Sequence, residues 1–284
     1  TYAVRVNPPT LASLSPYPRK PTLVGYPLIA NPENLEFADG VIYSWLRQNE
    51  DNTYTDIQDS VVYSPTMEDL GKCLQVQATP YRNAELGRVY GRSVSFFYLS
   101  PVQDAPIPRM LSVRESFLEQ TPLACGFRIM SFNILADAYA TSDFSLKELY
   151  PYVHPDHLDT QYRSQITMKE IMGHNPDIVC LQECDRKVFR QYYAPLCQQH
   201  GMSAFYLNKS GGVLEGSAIF VRASKFFVLQ VIPVELKKLL RAWPPLDPLF
   251  QARPGIQDVV GGKVSTVAHI LVLRPVDFPS RRVV

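Results

Sequence analysis

Two hydrophobic rhythms succeed one another along this chain. Between residues 33 and 100 the apolar positions recur every second residue in short runs. Val41-Ile-Tyr-Ser-Trp45-Leu-Arg47 alternates apolar and polar positions, which predicts a half-buried strand with Trp45 in the core. Val61-Val-Tyr63 predicts a second strand, stopped by Ser64-Pro65. Cys73 to Ala78 places Leu74, Val76 and Ala78 on one face, and Val89 to Leu99 closes the set. Short strands around a central tryptophan predict a small all-β, immunoglobulin-like domain over residues 33–100.

From Phe127 the rhythm changes to strands separated by helical stretches. Strands are expected at 127–133, 177–182, 204–207, 215–222, 264–273 and 281–284. A helix is expected from about Leu158 to Met172, with Gly173 just past its end. Asp185 reads as the N-cap of a second helix that ends near His200-Gly201. Gly211-Gly212 marks a turn, and residues 234–260 form a proline-interrupted excursion. This alternation predicts an α/β domain over 125–284.

Proline sets the boundaries. The chain has 24 prolines in 284 residues, and seven fall in the first 32. That density predicts a Pro-rich extended arm over 1–32, and Pro101, Pro106, Pro108 and Pro122 predict a linker over 101–124. The arm has no acidic residue before Glu33 and carries Arg5, Arg19 and Lys20, so it reads as a linker or as an organelle transit segment. No apolar run reaches the roughly 20 residues of a membrane span. A formal charge of +1 carries no bulk nucleic-acid signature, so any phosphate recognition has to be local. Five cysteines, odd in number and without a Cys-x-x-Cys, favour reduced thiols and a reducing intracellular compartment.

The candidate chemistry lies at two strand ends. Arg128-Ile-Met-Ser-Phe-Asn133 and Asp177-Ile-Val-Cys-Leu-Gln-Glu183 are apolar strands that each deliver one polar side chain at the C-terminal end. An amide and a carboxylate together suit a hard cation such as Mg²⁺. The bland readings are a turn residue for Asn133 and a helix-capping carboxylate for Glu183.

These motifs resemble the endonuclease/exonuclease/phosphatase superfamily. The resemblance rests on Met130-Ser-Phe-Asn133-Ile-Leu-Ala-Asp137, Tyr162-Arg163, Pro176-Asp-Ile-Val-Cys-Leu-Gln-Glu183 and Glu215-Gly-Ser-Ala-Ile-Phe-Val-Arg222. Asn133-Ile-Leu-Ala-Asp137 is similar to the deadenylase branch. Tyr63-Ser-Pro-Thr-Met-Glu-Asp-Leu-Gly71 ahead of Leu74-Gln-Val-Gln-Ala-Thr-Pro80 is similar to the mitochondrial 2′,5′-phosphodiesterases, which carry an accessory β domain. The resemblance implies a four-layer α/β nuclease sandwich and a mitochondrial location. It implies a Mg²⁺-dependent phosphodiesterase acting on RNA 3′ ends or on 2′,5′-linked oligoadenylate. It assigns the metal to Glu183, with Asn133 assisting metal and phosphate, and gives Arg163 and Glu215 as weaker substrate contacts.

The family's second half supplies an Asn-Thr-His strand, a Gly-Asp-Phe-Asn strand and a Ser-Asp-His end, and these motifs are absent up to Val284. Asp277-Phe278 is followed by Pro279, not Asn. Residues 1–284 alone are therefore expected to be a truncated sandwich, catalytically inactive and dependent on further residues or a partner. The competing class is a non-catalytic nuclease-like scaffold in a large RNA–protein particle, such as a mitochondrial ribosome precursor.

Several residues keep two readings. Asp137 is a loop-ordering acid or a ligand. Arg163 is a surface charge or the buried partner of a strand-end acid. Glu215-Gly216 approaches substrate or marks a bulge. His154 and His157 look like half a metal site, but Pro155 and the lack of a second pair favour a solvated loop. Cys180 and Cys184 read as packing residues. Tyr150, Tyr152 and Tyr162 read as base-stacking rings or as core anchors.

Overall fold

The computed structural model describes residues 7–106, 126–278 and 280–284. The chain divides into two compact units. The first comprises residues 1–109 with 160–166, and the second comprises 110–159 with 167–284.

The first unit is all-β. Its main sheet is antiparallel, in the order β5 (Tyr54–Gln58), β4 (Gly40–Gln48), β7 (Leu74–Ala84), β8 (Gly87–Tyr90), with β9 (Val94–Phe97) also paired to β7. Strand β1 (Thr10–Leu14) pairs with β3 (Pro32–Glu36), and β2 (Leu28–Ile29) pairs with β6 (Val62–Tyr63). Alternation decides the core. Trp45 faces Val76 and Tyr43 faces Ala78 across β4 and β7, and this face is buried with Leu74, Tyr63, Tyr98 and Val102.

Residues 10–30 differ from the expected extended arm. Leu11, Leu14, Tyr17, Leu23, Tyr26, Leu28, Ile29 and Ala30 are all buried. The prolines there punctuate short strands and turns, and Leu11, Leu14, Leu28 and Ala30 join the Trp45 core, a role that proline density alone conceals. The expected linker, 101–124, lies mostly outside the described residues.

The second unit is α/β. A four-stranded sheet runs in the order β10 (Ile129–Asn133), β11 (Ile178–Asp185), β13 (Glu215–Arg222), β12 (Met202–Asn208). The β10–β11 pair is parallel and the others are antiparallel. One face of the sheet carries Val179, Leu181, Ala218 and Phe220, all fully buried. Helical residues of this unit, among them Ile171, Val188, Tyr192, Leu196 and Cys197, are buried with them. The opposite face carries Ile178, Cys180, Ile219, Val221 and Phe205, which pack against the hairpin β14 (Phe226–Glu235) and β15 (Val267–Pro275) through Phe226, Val228, Leu271 and Leu273.

That hairpin covers this face over β11, β13 and β12. On β10, Ile129, Ser131 and Asn133 stay exposed. Ile129 is 59% exposed although it is a strand isoleucine.

Boundaries shift where local chemistry wins. The expected 158–172 helix begins at Thr160 and runs to Gly173, after a separate turn, Pro155–Leu158, fixed by proline. Residues 186–199 are helical throughout. Residues 236–263, inside and beyond the expected excursion, are mostly short helices broken by prolines. Residues 281–284 make only a bridge, Val283 to Leu273. Among the described residues no helix is long and apolar enough to cross a membrane.

Candidate metal and phosphodiester site

A β-bulge builds this site. Leu181 pairs with Ala218, but Cys184 pairs with Gly216, so β11 spends one more residue than β13 over the same span. Leu181 and Cys184 therefore share the buried helix-side face, and Gln182 and Glu183 take up the extra residue. Without the bulge, Glu183 would follow Leu181 into that buried layer. The backbone at Glu183 has φ of +56°, a left-handed conformation that costs a non-glycine residue energy. Bulges of this kind re-aim side chains beside functional sites.

The turned carboxylate meets the end of β10. Asn133 Nδ2 donates to Glu183 Oε1 at 2.8 Å, and the Ala136 amide donates to Glu183 Oε2 at 3.2 Å. Asn133 Oδ1 accepts from the Leu135 amide at 3.0 Å, and Leu135 itself has φ of +56°. Asn133 thus does two jobs: it shapes the loop after β10 and it orients the carboxylate.

Two more carboxylates hold the same loop. Asp185 Oδ2 accepts from the Asp137 amide at 3.0 Å. Tyr139 OH donates to Glu215 Oε1 at 3.2 Å. Asp185 is therefore no side-chain cap of the helix that follows it. Its carboxylate accepts instead from the turn after β10.

Glu215 is the most deeply placed acid of the group. It is 3% exposed, its Oε1 also pairs with Lys209 Nζ, and its Oε2 finds no hydrogen-bond partner. Burial pushes the Lys209 ammonium toward losing its proton, and the bond to Glu215 outweighs this, with Tyr139 and Glu183 adding to it. Its pKa consequently rises above that of an ordinary lysine. Lys209 also lies 5.9 Å from the Tyr139 ring centroid. Sequence reasoning missed Lys209; the glycine turn after it, with Gly211 and Gly212 both at positive φ, was the available signal.

Gly216 serves backbone packing. A Cβ there would lie 2.1 Å from the Leu207 carbonyl oxygen, so only glycine lets β12 and β13 pair. Arg163 belongs to the part of the helix grouped with the first unit, whereas Asn133, Glu183 and Glu215 belong to the second. His154 accepts from the Asp156 amide at 3.3 Å and caps the short turn, and both His154 and His157 are exposed. Cys184 and Cys197 are buried, and burial pushes the Cys197 thiol up to about 12. The Cys184 and Cys180 thiols shift the same way for the same reason. None of these thiols has the lowered pKa of a reactive cysteine.

The residues present fit a particular sort of cation. Among the described residues no cluster of three or more His, Cys, Asp or Glu side chains converges on a point. One oxygen-rich carboxylate beside an amide suits Mg²⁺, which keeps most of its waters and binds through one or two carboxylates and substrate phosphate. It matches zinc less well, since zinc sites gather three or four converging Cys, His, Asp or Glu side chains, and the described residues show no such group.

The model of the endonuclease/exonuclease/phosphatase family matches residues 130–257. Residues 130–257 are thus similar to that family. The chain is also 32% identical over 228 residues to 2′,5′-phosphodiesterase 12 of Mus musculus, covering 79% of this chain and 36% of that protein. It is 29% identical over 308 residues to the Homo sapiens protein of the same name, covering 99% of this chain and 49% of that protein. This chain thus spans between a third and a half of the length of these relatives. Among solved structures, ANGEL2, a 2′,3′-cyclic phosphatase, is 26% identical, with 52% of this chain and 37% of that chain covered and a TM-score of 0.42. The matched residues include Asn133, Glu183, Lys209 and Glu215.

Proposed function

We propose that this chain carries the metal-holding strands of a Mg²⁺-dependent phosphodiesterase that acts on RNA 3′ ends or on 2′,5′-linked oligoadenylate. One observation carries the reading: a bulge turns Glu183 out of the buried layer, at φ of +56°, onto the strand end where Asn133 sits. The relatives named 2′,5′-phosphodiesterase 12 support the substrate class.

In this reading Glu183 holds the cation, and Asn133 orients the carboxylate and faces the phosphate. A bound Mg²⁺ would neutralise phosphoryl charge and acidify a water. Lys209, kept charged by Glu215, adds positive potential near Glu183, and Tyr139 holds the loop in place. The uncovered strip of β10 leaves room for an extended strand of nucleic acid.

The test has two readouts. Calorimetric titration of the chain with Mg²⁺ should show one site that Glu183→Gln removes. Oligoadenylates with 2′,5′ and with 3′,5′ linkages, given to the longest form of the protein, should be cleaved only with Mg²⁺ and only with Glu183 intact. Absence of Mg²⁺ binding by the unaltered chain would overturn the reading. Metal binding without cleavage in any form would favour a nuclease-like scaffold.

A further inference from the structure

We propose that the helical excursion between β14 and β15 receives the single-stranded oligoadenylate that extends beyond the Glu183 site, with the Trp243 ring stacking on a base and Arg241 meeting the phosphate backbone. The inference rests on the phosphodiesterase reading of that site. Topology puts the excursion at the same end of the sheet. β13 starts at Glu215, opposite Asp185, and ends at Arg222. β14 follows the turn at 223–225 and runs back toward the Glu215 end. There the Ser210 amide donates to the Ser265 carbonyl at 3.1 Å, and Ser210 directly follows Lys209. Lys209 pairs with Glu215 and feels the charge of Glu183. The Leu236 amide donates to the Thr266 carbonyl at 3.1 Å and closes the base of the excursion. Residues 236–263 therefore rise beside the Lys209 turn, not at the far end, where Lys225 and Arg222 hold Asp177.

The excursion is a packed element. Helices Leu236–Arg241 and Asp247–Ala252 both pack on helix Pro254–Lys263, and Phe250 is buried. A Cβ at Gly261 would collide with the Arg241 guanidinium, so glycine lets that side chain lie across the third helix. Arg241 stays exposed there.

Trp243 is held just past the first helix. Its amide donates to the Leu240 carbonyl at 3.4 Å, and its carbonyl accepts from the Leu246 amide at 2.9 Å. Pro244-Pro245 fix the backbone that follows. The ring is nonetheless 52% exposed, whereas Trp45 has no exposed surface. A base that stacks on an indole presented from a fixed backbone orders little of the protein as it binds.

Charge selects the occupant. Residues 236–263 carry five bases, Lys237, Lys238, Arg241, Arg253 and Lys263, against two acids, Asp247 and Asp258. The whole chain has a surplus of one, so the positive excess is concentrated here. Glu235, at the base of the excursion, takes Lys238 in an ion pair, which leaves four bases against the two acids. Bases around an exposed ring match the alternating phosphates and bases of a single strand. Leu239, Leu249 and Val259, one on each helix, are exposed as well, and an anionic membrane surface also takes basic residues beside Trp and Leu. Adjacency to the Lys209 turn decides for the nucleic acid, because an oligoadenylate held at Glu183 is a polyanion that reaches past that turn.

The experiment reads iodide quenching of tryptophan emission in the full chain, in EDTA so that no metal chemistry intrudes. Trp45 is buried, so the quenchable emission belongs to Trp243. A single-stranded 3′,5′-linked oligoadenylate should abolish most of that quenching. Anisotropy of the same oligoadenylate, fluorescein-labelled, gives its affinity. Trp243→Ala should weaken binding about tenfold, and Trp243→Phe, which keeps a ring, about threefold. Arg241→Glu should weaken it about tenfold and flatten its salt dependence, while the same charge reversal at exposed Arg92, in the first unit, should change it by no more than about twofold. Circular dichroism checks the fold of each variant. No binding, quenching unchanged by the oligoadenylate, or affinity unchanged in both Trp243→Ala and Arg241→Glu would overturn the proposal. Phosphatidylserine vesicles that shield Trp243 where the oligoadenylate does not would overturn it in favour of a membrane surface. Calorimetry with Mg²⁺ reports on Glu183 alone, so failure of the metal site and failure of the excursion are read separately.

Discussion

Asp185 and Glu215 are direct cross-strand partners on β11 and β13, and their carboxylates grip two points of one loop two residues apart. Asp185 holds the Asp137 amide at 3.0 Å, and Glu215 holds the Tyr139 hydroxyl at 3.2 Å. With Glu183 on the Ala136 amide, three acids tie residues 136–139 to the sheet. The loop that begins at Asn133 is thus positioned by the strands it approaches. Each bond to a charged acceptor is worth about 1.5–3 kcal/mol.

The first prediction follows from that tether. Asp185→Ala and Tyr139→Phe should speed amide hydrogen exchange across Ala136–Ala140 while leaving exchange in β12 unchanged. Asp185→Asn keeps an acceptor oxygen and should fall between them and the unaltered protein. Equal protection in all four proteins would show that the loop is held by something else.

Glu183→Gln is predicted to separate metal binding from folding. Gln keeps the length of the side chain but replaces one acceptor oxygen with an amide NH₂. That group faces either Asn133 Nδ2 or the Ala136 amide, so one hydrogen bond is lost. The expected loss of stability is about 1–3 kcal/mol, read by urea denaturation. The loss of Mg²⁺ affinity should be larger than tenfold, because a neutral amide binds a hard cation poorly. A variant that still binds Mg²⁺ like the parent would remove Glu183 from the site.

A third prediction concerns acid stability. Burial alone would raise the Asp177 carboxyl. Lys225 Nζ at 2.8 Å, the Arg128 amide at 3.0 Å and Arg222 Nε at 3.0 Å outweigh it and hold its pKa below the ordinary value. A carboxyl with a lowered folded-state pKa stabilises the fold above its unfolded pKa of about 3.9, and this is lost as pH falls through the folded value. Asp177→Asn should therefore destabilise the second unit at pH 7 and flatten the decline of stability below about pH 4. The loss at pH 7 should be about 1–3 kcal/mol, because Arg222 and Lys225 lose their charge partner but stay partly solvated. Parallel pH profiles for the two proteins would contradict this.

Much of the second unit was legible because its strands are apolar, short and punctuated. Val179, Leu181, Ala218 and Phe220 mark buried strand positions, and Asn133 and Glu183 stand where those strands end. The bulge was not legible, since Gln182-Glu183 reads as continued alternation and only pairing with β13 reveals the extra residue. Lys209 was missed because a lysine before a Ser-Gly-Gly turn reads as solvated; its burial depends on Glu215, a partner supplied by another strand. Asp185 does stand at the N-cap position of the next helix, but the partner of its carboxylate, an amide 48 positions away, was not legible. In the first unit Trp45 and its alternating neighbours were plain. The folding of residues 10–30 into the core was not, because proline punctuation looks the same in an arm and in a tight strand connection.

The last prediction uses that tryptophan. Trp45 has no exposed surface, its Nε1 donates to the Ser60 carbonyl at 2.8 Å, and its ring lies 5.5 Å from Tyr63 and 6.2 Å from Tyr98. Truncation to alanine removes the ring from the centre of the cluster and leaves a cavity, at a cost of about 3–5 kcal/mol. It also strands the Ser60 carbonyl. Among the described residues no disulfide braces this unit, and Cys73 is a free thiol, so apolar packing carries the fold. Trp45→Ala is therefore expected to unfold the first unit at 37 °C, and Trp45→Phe, which keeps most of the ring, to cost about half as much. The chain has two tryptophans, and the other, Trp243, is 52% exposed. Trp243→Phe thus makes Trp45 the sole tryptophan reporter. Its emission should be blue-shifted and resistant to iodide quenching in the folded protein, moving to the red in a single transition with urea. Mg²⁺ binding at Glu183 should survive Trp45→Ala, because every hydrogen bond described around that carboxylate comes from the second unit. An emission already red and quenchable before denaturant is added would show that Trp45 is not the core of this sheet.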